Sequence, residues 1–326
     1  MTDQPPATFA ARVVAWQHQH GRHDLPWQNT RDPYRVWLSE IMLQQTQVST
    51  VVGYFQRFLQ RFPDVLALEQ GQLDEVLGLW SGLGYYSRAR NLHLCAQTLV
   101  AQHQGVFPRS AEQLAKLPGI GRSTAAAIAS LCFDERVAIL DGNVRRVLAR
   151  VEGYDKDLSA TVHERGLWSL ACARLPVPSR QADMPVYTQA LMDLGATVCT
   201  RTRPRCGDCP VQEICTGHAT GAPERFPVKS RKLKRSAESH WLLLAVDSAG
   251  RTWLHKRPDR GIWASLYSLP MFSERVAALG GLASLSGGHI HDVRDAPAFV
   301  HVLTHKDLHL HPVLVRLASS ERLTPE

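Results

Sequence analysis

An all-α domain followed by a smaller α+β domain is expected from three observations. Apolar residues recur at helical spacing from Phe9 to about Cys215, the pattern lapses between Thr216 and Ala237, and short β-rich runs follow. At 326 residues the chain exceeds the usual size of one compact core, and each part is long enough to bury its own interior. The expected boundaries are 1–215 for the helical domain, 216–237 for a basic linker and 238–326 for the α+β domain.

The elements justify this division in order. Val13, Trp16 and Gln17 mark the first helix, Pro33 precedes a second over Val36 to Leu43, and Leu73, Val76, Leu77 and Trp80 mark a later one. Short Gly or Pro joints separate them. The linker holds Gly-Ala-Pro-Glu-Arg-Phe-Pro and then Lys229, Arg231, Lys232, Lys234 and Arg235, either a solvated tether or a strip along a phosphate backbone. Beyond it, Trp241 to Val246, Thr252 to His255 and Leu308 to Val315 alternate with Gly, Asp and Pro as strands do.

A formal charge of +7 and a pI near 9.2 favour a polyanionic partner, with nucleic acid ahead of an acidic membrane surface. No run approaches the roughly 18 apolar residues that span a bilayer. The opening Met1-Thr2-Asp3-Gln4-Pro5-Pro6 has neither the basic flank nor the apolar core of a signal peptide, so a cytoplasmic protein is expected. In a reducing compartment the run Cys199, Cys206, Cys209 and Cys215 reads as a metal site rather than a disulfide frame. Its spacing admits either a [4Fe-4S] cluster or tetrahedral zinc. Cys95, Cys132 and Cys172 are isolated and read as buried thiols.

Leu117-Pro118-Gly119-Ile120-Gly121 has the composition of a hairpin between helices: proline ends the first, and two glycines permit a tight turn and close approach of a ligand. Amides near Arg122 to Ala125 would then face an anion, giving a sequence-independent grip on phosphate. A tight helical connection without a ligand is the plain alternative. Glu40, Gln44 and Gln47 share a polar helix stripe, which is locally a solvated face, although apolar neighbours could hold a carboxyl in its neutral form. Asp141 reads locally as the N-cap of a helix running to Arg150.

Several segments together resemble the endonuclease III superfamily, and within it the MutY-type adenine DNA glycosylases. They are Trp37 to Gln47, Gly82 to Arg88, Leu117 to Thr124, Ile139 to Val144 and the four-cysteine run, with Gly261 to Trp263, Leu269-Pro270 and His301 to His305 in the second domain. The resemblance implies a helix-hairpin-helix glycosylase domain with an iron-sulfur loop, joined to a Nudix-like domain that lacks the Glu-rich box for magnesium. It implies hydrolytic removal of adenine opposite 8-oxoguanine or guanine in double-stranded DNA, by a monomer that is nucleoid-associated if bacterial.

Residue by residue, the resemblance makes Glu40 the general acid and Asp141 the carboxylate beside the developing sugar cation. Ser123 stands where bifunctional relatives carry a Schiff-base lysine; neither its hydroxyl nor the guanidinium of Arg145 forms an imine. Gly119, Gly121, Ser123 and Asn143 fall on DNA-contact positions, Gln45 and Tyr85 on positions that enter the duplex, and Trp27 and Gln189 near the adenine pocket. Tyr187-Thr188 replaces the family's Phe-Asn before Gln189. Thr304 and His305 fall at the 8-oxoguanine loop, with Leu303 and Thr304 where Phe and Ser are common. The four cysteines then hold a [4Fe-4S] cluster, and the hairpin a monovalent cation. A bifunctional glycosylase and lyase for oxidised pyrimidines, and a non-enzymatic sensor of damaged DNA, are the competing expectations.

Overall fold

A computed structural model describes residues 8–230, 234–285 and 290–317. The chain divides into two units, Met1–Arg231 and Lys232–Glu326. Helices α1 (Phe9–His20), α2 (Pro33–Leu43), α3 (Val48–Arg61), α4 (Val65–Gln70), α5 (Leu73–Leu79) and α6 (Ser87–His103) open the first. They are followed by α7 (Ala111–Leu114), α8 (Arg122–Phe133), α9 (Gly142–Val151), α10 (Thr161–Ala173), α11 (Met184–Thr197) and α12 (Thr216–Ala219). No helix among the described residues is long and apolar enough to cross a membrane.

The helices start where side chains satisfy their free amides. Asp32 accepts from Tyr34 N at 3.0 Å, with Pro33 in the first turn of α2. Fully buried Trp37, Phe55, Phe58, Phe62 and Trp80 centre one core, with Trp37 edge-on to Phe107 at 5.4 Å and Phe58 edge-on to Trp80 at 6.2 Å. A second core joins α1, α8, α9 and α11 through Val13, Val144, Leu148, Leu191 and Leu194. On α8, buried Ala125, Ala126, Ala127 and Ala129 let α2 and α11 approach its backbone. Gly195 does the same between α11 and α9, because a Cβ there would lie 2.6 Å from Asn143 Cβ.

Arg88 fixes the turn that ends α2. It is 8% exposed, and Nη1 donates to the carbonyls of Ile41, Met42 and Gln44 at 3.0, 2.8 and 2.6 Å. Nη2 donates to Leu83 O, Gly84 O and Thr46 Oγ1 at 3.2, 3.1 and 3.1 Å. One side chain thus ties two turns in which Gln45 and Tyr85 have φ of 57° and 48°. Non-glycine residues hold this region only where their surroundings compel them.

Three sequence expectations need correction. Residues 216–230 are not a solvated tether. Phe226 is buried in the second core, a Cβ on Gly217 would lie 2.9 Å from Arg150 O, and Leu158 N donates to Val228 O at 3.0 Å. The helical unit therefore runs past Cys215, and part of the remaining basic stretch, 231–233, lies outside the described residues. Cys95 and Cys132 are buried, but Cys172 is exposed at the end of α10. The hairpin glycines also differ. Gly119 has φ of 74° and its Cβ would lie 2.6 Å from Asn91 Cβ, whereas Gly121 is extended and faces open space.

The second unit is a mixed sheet in the order β4-β1-β7-β5, with β6 also on β7. Its strands are β1 (Ser236–Val246), β4 (Met271–Phe272), β5 (Ile290–Asp295), β6 (Phe299–Val302) and β7 (Lys306–Leu317), with α13 (Arg275–Leu285) after β4, while β2 (His255–Lys256) and β3 (Tyr267–Ser268) pair with each other as a separate antiparallel sheet. β1 and β7 run parallel. Leu243, Ala245, Val313 and Val315 form one apolar cluster, and Leu242, Leu308 and Leu310 another. Pro312 falls between the stretches of β7 paired with β6 and with β5, where a missing N–H breaks no ladder.

Replacing Arg88 with Met should lower unfolding free energy by about 3 kcal/mol, since five carbonyls lose a charged donor. Urea titration checks this, and an unchanged midpoint would contradict it.

Candidate active site and cluster loop

A cleft of about 1260 Å³ opens between the two cores of the helical unit. It is lined by Trp27, Glu40, Gln45, Ser123, Asp141, Asn143 and Gln189, all singled out from the sequence. Arg22, Arg31, Arg146 and Arg201 line it too, with no lysine among the described residues of its wall. Tyr85, Gly119 and Gly121 are not in its wall, and Tyr85 is instead 42% exposed at its own turn. Thr304 and His305 belong to the other unit, exposed at the turn between β6 and β7. There Leu303, like Ile262 and Trp263, packs against the Leu242, Leu308 and Leu310 cluster.

Glu40 reaches the cleft from α2, flanked by buried Trp37, Leu38, Ser39 and Ile41. Burial, and then the negative charge of Asp141, push its carboxyl up to about 7. The solvated stripe expected locally is thus a wall of the cleft. Asp141 is the N-cap of α9, as its local pattern indicated, accepting from Val144 N at 2.7 Å. Burial raises its pKa, while the amides of Val144 and Asn143 and the guanidinium of Arg146 oppose the rise. Both carboxyls are desolvated, but these stabilising donors to the anion belong to Asp141. Both pKa values are raised by burial, and at Asp141 these donors offset part of the rise.

Ser123 supports this arrangement from α8: its Oγ accepts from Leu140 N at 3.0 Å, immediately before Asp141. Gln44 Nε2 and Thr124 Oγ1, 3.4 Å apart, link the end of α2 to α8. Trp27 is buried, edge-on to Phe55 at 5.4 Å.

The cysteine loop hangs from the same helix as Asp141. Buried Arg150 donates to Cys199 Sγ at 3.3 Å, Thr200 O at 2.7 Å and Arg201 O at 3.0 Å. Its Nε reaches Pro223 O at 3.0 Å and Phe226 O at 3.2 Å. One turn earlier, Arg146 donates to Cys199 O at 2.7 Å, Gly195 O at 2.6 Å and Asn143 Oδ1 at 2.8 Å. Sequence reading missed both arginines, as well as Arg22, Arg88, Asp193 and Gly195. Their only local signal was charge or smallness, which surface residues share.

Cys199, Cys206, Cys209 and Cys215 line one cavity with Arg150 and His218. Burial pushes the Cys209 thiol up to about 12 and also raises Cys206 and Cys215, so their thiolates require a bound cationic centre. Among the described residues no three candidate ligands converge on a single ion. Four thiols in one cavity match the all-sulfur ligand set of an iron-sulfur cluster. When bound, such a cluster fastens the loop through four cysteine bonds. Iron and sulfide assays on purified protein should give near-equal amounts of each per chain; stoichiometric zinc without sulfide would contradict the assignment.

Residues 38–171 match the HhH-GPD superfamily of base excision DNA repair proteins, 199–215 the iron-sulfur binding domain of endonuclease III, and 240–325 the NUDIX domain. The adenine DNA glycosylase of Buchnera aphidicola subsp. Acyrthosiphon pisum is 37% identical over 309 residues, covering 95% of this chain and 87% of that protein. The human adenine DNA glycosylase is 38% identical over 315 residues, covering 80% and 57% respectively. Among solved structures, a thermostable thymine-DNA glycosylase superposes with a TM-score of 0.56 at 26% identity, covering 65% of this chain and 95% of that one. Endonuclease III from a non-covalent DNA complex gives 0.54 at 21% identity, covering 65% and 94%, a likeness of fold. Two desolvated carboxyls in an arginine-lined cleft, a cysteine loop held by the helix that Asp141 caps and these relatives lead to one conclusion: the chain is a DNA glycosylase belonging to the adenine DNA glycosylase family.

Proposed function

We propose that this enzyme hydrolyses the N-glycosidic bond of adenine mispaired with 8-oxoguanine, or with guanine, and releases the base without efficient strand cleavage. The observation that carries the reading is the carboxyl pair in the cleft: Glu40 raised to about 7 by burial and the charge of Asp141, and Asp141 raised by burial against the pull of its amides and Arg146. Adenine leaves as a neutral base once a ring nitrogen is protonated, and neutral Glu40 donates that proton. Positive charge then develops on the sugar. Asp141, at the N-terminus of α9, stabilises it until water is added.

The absence of lysine from the cleft wall favours hydrolysis over imine chemistry, since the described side chains there offer no amine. Ser123 is engaged with Leu140 N, and Arg145 is paired with Glu164. The arginines of the cleft attract duplex phosphate, while Gln45 and Tyr85, exposed on strained turns, are placed to fill the gap left by an extruded base. Gly121 leaves room for phosphate at the hairpin, and a monovalent cation on the hairpin carbonyls belongs to the same reading. Exposed Thr304 and His305 support recognition of the oxidised partner by the second unit, and the cysteine loop supports a [4Fe-4S] cluster. The enzyme acts as a monomer.

The proton assignment has a definite sign. Because Glu40 is needed neutral and titrates near 7, single-turnover adenine release should hold below that pH and fall toward tenfold per unit above it. Glu40→Gln should lose about 10² to 10⁴ in rate while still binding the duplex. Retained turnover in this variant would remove Glu40 from the chemistry. Borohydride added during turnover should trap no covalent DNA adduct on wild-type protein; efficient trapping would restore the lyase reading.

A further inference from the structure

A separate cavity of about 160 Å³ lies where the end of α2, the start of α6 and the hairpin meet, with Trp37, Gln44, Ser87, Arg88, Asn91 and Gly119 in its wall. Its described wall holds no carboxylate, and it shares only Gln44 with the catalytic cleft. Two buried N–H groups have no acceptor among the described residues and belong to this wall: Trp37 Nε1 and Arg88 Nε. Trp37 is 0% exposed and Arg88 8%. A donor so deep without an acceptor is costly and rare, and two beside one cavity call for an acceptor inside it.

The charges around the cavity agree on what that acceptor is. Arg88 spends both Nη groups on five carbonyls and the Thr46 hydroxyl, and its positive charge faces the rings of Trp80 and Tyr85. Among the described residues no carboxylate pairs with it. Ser87 and Arg88 are also the first two residues of the 17-residue α6, whose N-cap, Tyr86, makes no side-chain bond and whose first turn has no acidic residue. The positive pole of that helix is left uncompensated at the same place. Water would satisfy both N–H groups, but it brings no charge. Ser87 is exposed, so ions reach the cavity from solvent.

We propose that this cavity binds a small inorganic anion of the halide class, which accepts from Trp37 Nε1 and Arg88 Nε and neutralises the guanidinium that ties the Gln45 and Tyr85 turns. Its sign is opposite to that of a cation on the hairpin carbonyls, because the groups turned to it are donors. The ion braces from behind two turns that are exposed on the other side. Nothing in this site depends on which base the enzyme releases.

Crystals of the full chain without DNA are soaked in sodium bromide, and anomalous scattering locates the ion. Bromide within hydrogen-bond distance of Trp37 Nε1 and Arg88 Nε is expected; a cavity holding only water overturns the proposal. In solution, thermal unfolding is compared in sodium bromide and in sodium gluconate at equal ionic strength, with Trp37→Phe beside the wild type. Phenylalanine keeps a ring and removes the N–H, and salt effects on the rest of the chain are common to both proteins. Wild-type Tm should gain about 2–4 °C more from bromide than the variant does. An equal response marks an adventitious ion only and overturns the idea. Should Trp37→Phe fail to fold, Ser87→Asp puts a carboxylate at the start of α6 in place of the ion. Its bromide response should fall below that of the wild type by the same amount, and an undiminished response again overturns the proposal.

Discussion

A buried guanidinium loses its water and needs acceptors in exchange, and both terminal nitrogens of Arg150 find them in the loop that carries the cysteines. That constraint orients α9. With Arg150 and Arg146 held by backbone around Cys199 and by Pro223, Phe226 and Gly195, the helix cannot slide or turn without breaking several charged hydrogen bonds at once. Its N-cap is Asp141. The position of the Asp141 carboxylate in the cleft is therefore set from the far end of its own helix, and the cysteine loop is part of the scaffold that holds it there.

The opposing wall is built differently. α2 reaches the cleft through a tightly packed aromatic core, and its last turn is closed by Arg88 rather than by a capping residue of its own. Glu40 gains no comparable set of donors. Burial raises both carboxyls, and the donors that oppose the rise are found at Asp141. α8 joins the halves: Ser123 steadies the approach to Asp141, and Thr124 meets Gln44.

Much of this was legible in the chain. The helical period over Phe9 to Trp80, proline at the start of α2 and the Asp141 cap follow from local rules that tertiary structure left intact. Local pattern failed where partners are distant. Arg22 and Asp193 are 171 residues apart, and nothing near either marks it as one of a pair. Glu40 carried the pattern of a surface stripe because a cleft wall is polar for the same reason a surface is. The stretch after Cys215 misled for another reason: one four-residue helix and a short 3-10 turn are too brief to show any period, although Phe226 anchors them as firmly as a long helix would.

The hairpin shows how two identical residues can answer to different masters. At position 119 the backbone conformation and Asn91 both exclude a side chain, so the chain itself demands glycine. At position 121 ordinary dihedrals and vacant surroundings make no such demand. Folding would tolerate alanine there, and any pressure to keep the smallest residue must come from a body outside the polypeptide that needs the space.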